Sequence, residues 1–106
     1  MVSLEELKKL ELRIATVDSV EDHPNADRLY VLKISINEEK RQLVAGLKQH
    51  YTPEQLIGKQ IVVVANLEPA VLRGVESQGM LLAAGDDETV AILTPEHSVK
   101  SGSTVR

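Results

Sequence analysis

LYVLKISI, residues 29–36, is the stretch that most clearly indicates the fold. Its apolar side chains alternate with the others, as in a strand that buries one face. The face expected in the core carries Tyr30, Leu32, Ile34 and Ile36, and the opposite face carries Lys33 and Ser35. The polar run Asn37-Glu38-Glu39 suits a hairpin turn, and residues 41–45 return as a second strand that ends at Gly46. The stretch therefore predicts a β-hairpin.

Two elements are predicted before this hairpin. Residues 12–20 are rich in β-branched side chains but alternate imperfectly, which predicts a strand with a bulge or a strong bend. Residues 1–11 are predicted to form a short helix, because Ser3 and Glu6 make the capping-box pattern and leucines recur on one side. A helix this short is marginal alone, so we expect it to lean on the rest of the domain or on a partner.

The elements after the hairpin decide the architecture. Thr52 and Pro53 suit the cap and the first position of a short helix. Further strands are predicted over residues 61–66, 78–84 and 89–93. The order is then three strands, a short helix, and two or three strands. We therefore predict an all-β chain, a five-stranded OB-fold barrel with a short N-terminal helix and a short helix between strands 3 and 4.

The composition excludes several classes of protein. A chain of 106 residues suggests one domain over residues 1–106, with the barrel and a C-terminal extension over 12–106. There is no Cys, which excludes disulfides, thiolate chemistry and Cys-based zinc sites. No apolar run is long enough to span a membrane, and the acidic N-terminus lacks a signal-peptide core. We expect a cytoplasmic protein without a membrane partner.

The charge distribution modifies the meaning of the net charge of −4. Residues 28–73 carry seven Lys and Arg against four Asp and Glu, whereas both flanking segments are acidic. A basic central segment between acidic ends can present one positive face to a nucleic acid. The alternative is an ordinary mixed surface in which each charge is simply solvated.

The patterns typical of catalysis are missing from the sequence. There is no Gly-rich phosphate loop with its Lys-Ser or Lys-Thr pair. His23, His50 and His97 are too far apart for metal-ligand spacing and are predicted to be surface or turn residues. Asp86-Asp87-Glu88 lies in a predicted turn and is expected only to solvate it. We predict a chain that is not an enzyme and has neither a metal nor a cofactor.

Three motifs follow one another along the chain. The first is residues 23–30 (HPNADRLY), and the second is residues 44–47 (VAGL) followed by Tyr51 and Gly58-Lys59. The third comprises residues 66–69 (NLEP) and 72–84 (LRGVESQGMLLAA). Together they resemble the tRNA-binding domain found at the C-terminus of many methionyl-tRNA synthetases, which also occurs as a free-standing β subunit and as a stand-alone tRNA-binding protein. The resemblance runs from about Leu12 to the C-terminus.

The resemblance implies an OB-fold barrel that commonly dimerises and binds the outside corner of tRNA by its shape. The implied function is non-catalytic, largely sequence-independent tRNA binding in support of methionyl-tRNA synthetase. The implied partners are tRNA, a second copy of the chain, and the catalytic chain of the synthetase. Two alternatives stay open, a chaperone-like protein-binding module of the same fold and a structural dimerisation subunit.

Candidate RNA contacts come from the basic segment and from the third motif. Arg28 and Lys33 follow the turn at Pro24 and Asn25, where a groove edge would let them contact phosphates; the alternative for each is a solvated charge. Arg73 stands beside Gly74 on a motif loop and is predicted to bind phosphate in a bidentate manner. The full predicted set is Arg28, Lys33, Arg41, Lys48, Asn66, Arg73, Ser77, Gln78 and Met80.

The uncharged members of this set each have a structural alternative. The amide of Asn66 can bond a base edge or a 2′-hydroxyl, or it can pin the next loop. Ser77 and Gln78 offer small polar groups beside Gly79, which allows another backbone to approach closely. Met80 is either core filler or an adaptable apolar contact on a groove.

Two departures from the family pattern affect the expected affinity. Glu68 and Val71 stand where family members often carry Lys, which makes this loop less basic. Tyr30 and Tyr51 are the only aromatic residues, so the chain can hardly build a platform on which bases stack. We therefore predict recognition of folded RNA rather than of a single strand.

A homodimer is predicted from the apolar segments at the two ends of the chain. Leu4, Leu7 and Leu10 need a surface that covers them. Residues 93–105 contain few groups expected to hold them to their own barrel, so two such segments are predicted to meet across a two-fold axis. The competing prediction is a monomer whose helix packs on its own barrel end.

Overall fold

The computed structural model describes residues 1–106. It contains two one-turn helices, α1 (Leu4–Leu7) and α2 (Pro53–Leu56). The nine strands are β1 (Leu12–Asp22), β2 (Tyr30–Ile36), β3 (Glu39–Ala45), β4 (Gln60–Val64), β5 (Ala70–Leu72), β6 (Val75–Ser77), β7 (Met80–Leu81), β8 (Ala83–Gly85) and β9 (Val90–Ile92). Neither helix has the length and apolarity needed to cross a membrane.

Five strands form one curled antiparallel sheet in the order β3-β2-β1-β4-β7. The β2–β3 hairpin is paired without interruption from Tyr30 opposite Ala45 to Ile36 opposite Glu39. Its turn begins at Asn37, which adopts a left-handed φ of 57° that Asn tolerates better than most residues. The predicted hairpin is confirmed, and so is the OB-fold architecture with α2 between the third and fourth strands.

Strand β1 is the element that curls the sheet. Its register against β2 shifts between Val17 and Ser19, which confirms the predicted bulge. The first half of β1 pairs with β4, from Leu12 opposite Val64 to Thr16 opposite Gln60. The half beyond Thr16 pairs with β2. A bulge increases local twist and bend, so one long strand can serve two neighbours around the barrel.

The barrel interior is a single apolar cluster of 15 buried residues. The predicted core face of β2, Tyr30, Leu32, Ile34 and Ile36, lies entirely within it. Lys33 on the opposite face is exposed, whereas Ser35 beside it is buried. The alternation therefore predicts the inward face correctly, but burial on the outward face depends on what covers it.

The second half of the chain is more broken than predicted. The single strand predicted over residues 78–84 is wrong, because β7 pairs with β4 whereas β8 pairs only with β9. Leu82 lies between them, donating its N–H to Val62 and accepting from Leu93 through its carbonyl. The β5–β6 hairpin forms within a segment that carried no strand prediction. Alternation does not reveal which neighbour a strand pairs with, and here the neighbour changes within five residues.

The barrel closes along a seam between β3 and residues 76–79, which we call the barrel seam. The backbone N–H of Gln78 donates to the carbonyl of Gln42 at 2.8 Å, and the Gln78 side-chain oxygen accepts from the Gln42 N–H at 3.0 Å. The hydroxyl of Ser77 accepts from the N–H of Val44 at 3.0 Å and donates to the carbonyl of Gly79 at 2.9 Å. Side-chain hydrogen bonds therefore supply part of the pairing along the seam, whereas backbone hydrogen bonds pair the other strands of the sheet.

Gly79 makes the seam possible. Its φ is 122°, and a Cβ built on it would lie 2.8 Å from the carbonyl oxygen of Val64. The close backbone approach expected beside this glycine is confirmed. Any side chain here would force apart the seam and β4.

The C-terminal segment is held to its own barrel, contrary to the expectation that few groups would fix residues 93–105. Val105 donates its N–H to the carbonyl of Leu12 at 2.8 Å, and Ile14 donates to Ser103 at 2.9 Å. The side chain of Gln60 bonds both backbone groups of Val99. The expectation was wrong because it considered side chains, whereas the segment is held largely through backbone groups.

The N-terminal helix is capped as predicted but is shorter than residues 1–11. Ser3 Oγ accepts from the N–H of Glu6 at 3.1 Å, and the Glu6 carboxylate accepts from the Ser3 N–H, which completes the capping box. Leu4, Leu7 and Leu10 are 65%, 50% and 45% exposed. All three leucines keep 45% or more of their surface exposed on this chain, and the choice between the dimer and the monomer stays a prediction.

Candidate nucleic-acid interface

Two polar depressions hold five of the nine predicted RNA contacts. The first, the sheet groove, has a volume of about 620 Å³ and is lined by Asp18, Lys33, Ile34, Lys40, Arg41, Gln42, Glu76 and Gln78. The second, the loop cleft, has a volume of about 400 Å³ and is lined by Asn25, Ala26, Asp27, Arg28, Leu29 and Arg73. The two differ in how their cations are employed.

The cations of the sheet groove are engaged within the protein. Lys33 donates to the side-chain oxygen of Gln42. Lys40 donates to the hydroxyl of Ser35 at 2.6 Å and pairs with Asp18 at 3.4 Å. An anion entering this groove has to compete with partners already in place.

Arg41 has more hydrogen-bond partners within the protein than the other cations of the sheet groove. Its Nε pairs with Glu39 next to it on the hairpin. Its Nη1 donates to the carbonyl of Ala65 and, at 3.4 Å, to that of Gln78. Arg41 therefore ties β3 to the end of β4 and to the barrel seam, which is a structural use of the guanidinium.

Four predicted contacts lie outside both depressions, and Lys48, Met80 and Ser77 are three of them. Lys48 pairs with Asp22 at 3.2 Å. Met80 is half-buried on β7 opposite Val64. Ser77 is 2% exposed, and its hydroxyl is satisfied in the barrel seam, so it has no surface to offer RNA.

Asn66 uses both ends of its amide within the chain. Its oxygen accepts from the N–H of Glu11 at 2.7 Å, and its nitrogen donates to the carbonyl of Lys9 at 2.7 Å. This paired geometry matches the structural alternative, except that the pinned segment is the one joining α1 to β1 rather than the following loop.

The loop cleft is built by a clamp between residues 23–29 and the turn at residues 72–74. His23 Nδ1 accepts from the N–H of Asn25 at 2.9 Å, and His23 Nε2 lies 2.9 Å from the carbonyl of Leu72. A backbone N–H only donates, so Nδ1 carries the lone pair and Nε2 carries the proton given to Leu72. Both ring nitrogens of His23 are therefore used within the clamp.

Asn25 completes the clamp. Its Nδ2 donates to the carbonyl of Arg73 at 3.2 Å, and Nη2 of Arg73 donates to the carbonyl of Asn25 at 3.2 Å. His23 is 5% exposed, so it is a buried turn residue, and its prediction as surface or turn is correct only for the turn. The turn signal at Pro24-Asn25 was visible in the sequence, but its distant partner was not.

The two guanidinium groups of the loop cleft are free of carboxylate partners. The ion pairs of the protein are Arg13–Glu11, Lys40–Asp18, Arg41–Glu39 and Lys48–Asp22. Arg28 and Arg73 belong to none of them, and both are exposed. Asp27 also lines the cleft, which leaves one net positive charge there.

The acidic run 86–88 forms its own turn. The carboxylate of Asp86 accepts from the N–H groups of Glu88 at 2.9 Å and Thr89 at 2.7 Å, and these bonds hold its pKa below the usual value. No group of three or more His, Asp or Glu side chains is arranged to hold a metal ion.

Residues 12–104 match the tRNA binding domain family. The chain is 59% identical over 105 residues to methionine–tRNA ligase of Thermococcus kodakarensis, and equally to that of Pyrococcus furiosus. These matches cover 99% of this chain but 14% of either relative.

Solved structures show the same fold. A methionyl-tRNA synthetase-related protein from Pyrococcus horikoshii aligns with a TM-score of 0.93 at 30% identity, over 100% of this chain and 98% of that one. The chaperone CsaA of Bacillus anthracis aligns with a TM-score of 0.89 at 31% identity, over 100% and 99%. The family match spans nearly the whole barrel, and the chain belongs to the tRNA-binding domain family.

Proposed function

We propose that this chain binds tRNA through its phosphates and its folded shape, with little dependence on base sequence and no catalysis of its own. The observation that carries this proposal is the pair of exposed arginines without carboxylate partners, in a domain of this family. Cations left without protein partners are available to phosphates, and phosphate contacts carry no sequence information.

The proposed setting is support of methionyl-tRNA synthesis in the cytoplasm, either within a synthetase chain or beside it. Once a tRNA is bound non-specifically by this domain near the catalytic domain, the contact of the same tRNA with the catalytic domain becomes intramolecular. Such linkage multiplies affinity by about 10²–10⁴ when the geometry allows both contacts at once. Because the relatives are about seven times longer than this chain, the attachment to a synthetase is part of the proposal.

The experiment that tests tRNA binding is a gel-shift titration with bulk tRNA at two salt concentrations. Release of counterions makes the logarithm of the binding constant fall linearly with the logarithm of salt. We expect binding at low salt and a clear loss at physiological salt. Absence of binding at low salt, or an affinity indifferent to salt, would contradict the proposal.

We further propose that the chain forms a homodimer through α1. Val2, Leu4, Leu7 and Leu10 line a groove of about 640 Å³ that the protein's own barrel leaves open. A second copy would cover these side chains across a two-fold axis and place two loop clefts on one particle. The C-terminal segment takes no part in this proposal, because it is bonded to its own barrel.

Light scattering without RNA tests the dimer. We expect a mass near twice 11.6 kDa for the native chain. Leu7→Glu should shift the mass to that of a monomer, whereas Ile57→Glu, at a comparably exposed position at the C-terminal end of α2, should leave the dimer intact. A native mass of one chain would reject the proposal.

A second candidate function is binding of unfolded polypeptide. The likeness to the CsaA chaperone, at 31% identity over the full chain, favours it. The two functions differ in what copurifies: tRNA raises the ratio of absorbance at 260 nm to that at 280 nm, whereas bound polypeptide does not. Suppression of aggregation of an unfolded protein, without tRNA binding at low salt, would select the second candidate.

A further inference from the structure

We propose that the loop cleft is a phosphate site, in which Arg28 and Arg73 together hold one backbone phosphate of the bound RNA and Asn25 positions Arg73. This inference rests on the proposed tRNA binding and assigns it a specific contact. Its two cations come from segments that are distant in sequence and that the clamp of His23 and Asn25 brings together.

The arginines of the loop cleft have hydrogen-bond donors available for an anion. A guanidinium carries several N–H donors in a planar fork that matches the geometry of phosphate oxygens. Arg73 spends one of them on the carbonyl of Asn25, and this neutral acceptor leaves its charge uncompensated. Arg28 makes no ion pair at all. Arg13 and Arg41, by contrast, are each paired with a carboxylate.

The backbone of Arg73 adopts an unusual conformation. Its φ of 54° is left-handed, a region that Gly or Asn enters at lower cost than Arg. A non-glycine residue held in such a conformation is strained, and outliers of this kind cluster at functional sites. At the tip of the β5–β6 hairpin the chain carries an arginine in this conformation, although a glycine at the same position would relieve the strain.

The Arg73 side of the loop cleft is preformed. Leu72 on one side of the tip is held by buried His23, and the carbonyl of Arg73 is held by the amide of Asn25. Asn25 also receives the Arg73 side chain on its own carbonyl. The two loops are therefore tied to each other, and little ordering of Arg73 is left for the moment of binding.

Single substitutions in a tRNA titration test the two ligands. We expect Arg28→Ala and Arg73→Ala each to weaken binding about five- to tenfold for every tRNA used, and to lower the slope of log affinity against log salt by about one. Lys59→Ala removes the same charge from an exposed, unpaired lysine outside the cleft and is the matched control, with a change below about twofold.

A double-mutant cycle tests the positioning role of Asn25. Asn25→Ala should weaken binding about threefold in the native chain and have almost no further effect when Arg73→Ala is already present. A purely structural role for Asn25 would give the same loss in both backgrounds. Thermal unfolding of each variant checks the fold, and Arg28→Ala keeps the test valid even if the clamp variants unfold, since Arg28 bonds nothing in the protein.

Three outcomes are distinguishable. If the native chain binds tRNA with a salt slope but both arginine variants behave like Lys59→Ala, the loop-cleft assignment is overturned while the proposed function stands. If the native chain does not bind tRNA, the proposed function itself fails. Calorimetry with inorganic phosphate alone should show no binding at low millimolar concentration; tighter binding would assign the cleft to a free phosphate rather than to the RNA backbone.

Discussion

The barrel seam and the loop cleft are both places where the second half of the chain meets the first through polar groups. In the barrel seam, Ser77 and Gln78 satisfy the backbone of β3, and the hydroxyl of Ser77 is used both as acceptor and as donor. In the loop cleft, His23 and Asn25 satisfy the turn that follows β5, but two guanidinium groups remain unpaired at the surface. Some polar motif residues thus hold two segments of the chain together. Others lie exposed on the segments that are held together in this way.

This difference has an experimental signature. Changes in the barrel seam should lower the free energy of unfolding and leave the tRNA affinity of the folded protein unchanged. Changes to Arg28 or Arg73 should do the reverse, because neither side chain is buried or ion-paired.

Gly79→Ala should have the largest effect. The new Cβ would meet the Val64 carbonyl at 2.8 Å in a backbone conformation that L-residues rarely adopt, so we expect a loss of about 3 kcal/mol in the free energy of unfolding. Gly58→Ala is the control, because its φ is also positive, at 86°, but nothing lies within 4 Å; its loss should be about 1 kcal/mol. Urea denaturation measures both, and equal losses would show that strain alone, not the close approach, makes Gly79 necessary.

Ser77→Ala should have the next largest effect. It leaves the buried N–H of Val44 without an acceptor, which costs about 1–3 kcal/mol of stability. Ser98→Ala removes an exposed hydroxyl and should change stability by less than about 0.5 kcal/mol. Urea denaturation and a tRNA titration together test this role. A loss of tRNA affinity at unchanged stability would indicate that Ser77 contacts RNA instead.

Glu68→Lys should have the smallest effect and the opposite sign. Glu68 is exposed just before β5, so its replacement adds positive charge near the hairpin that carries Arg73. We expect tRNA affinity to rise about threefold at low salt, with the gain shrinking at physiological salt. Glu96→Lys makes the same charge change outside the loop cleft. An equal gain from both variants would point to net charge rather than to this face of the protein.

The fold was predictable where the pattern is local. The hairpin over residues 29–45 follows from alternation and a polar turn, and the bulge in β1 follows from a break in its alternation. The break at Leu82 was not predictable, because residues 80–84 (MLLAA) form one unbroken apolar run while the pairing partner changes from β4 to β9.

The site was predictable only as residue types. Basic residues in the middle of the chain and the arginine on a motif loop were visible in the sequence. Which cations stay free was not visible, since Arg41 is engaged by the Ala65 carbonyl and Lys48 by Asp22 across long sequence separations. His23 was undervalued for the same reason, because its partner Leu72 lies 49 positions away.

The attachment of the C-terminal segment to β1 has a consequence for folding kinetics. Arg13 donates to the carbonyl of Gly102, 89 positions away, and the first residues of β1 are bonded to residues 102–105. During synthesis this edge of β1 therefore stays unpaired until residues 102–105 have left the ribosome. Such non-local closure is typical of β-barrels that fold over milliseconds to seconds. In a nascent chain, the exposed edge of β1 should therefore be protected only after residues 102–105 bind to it.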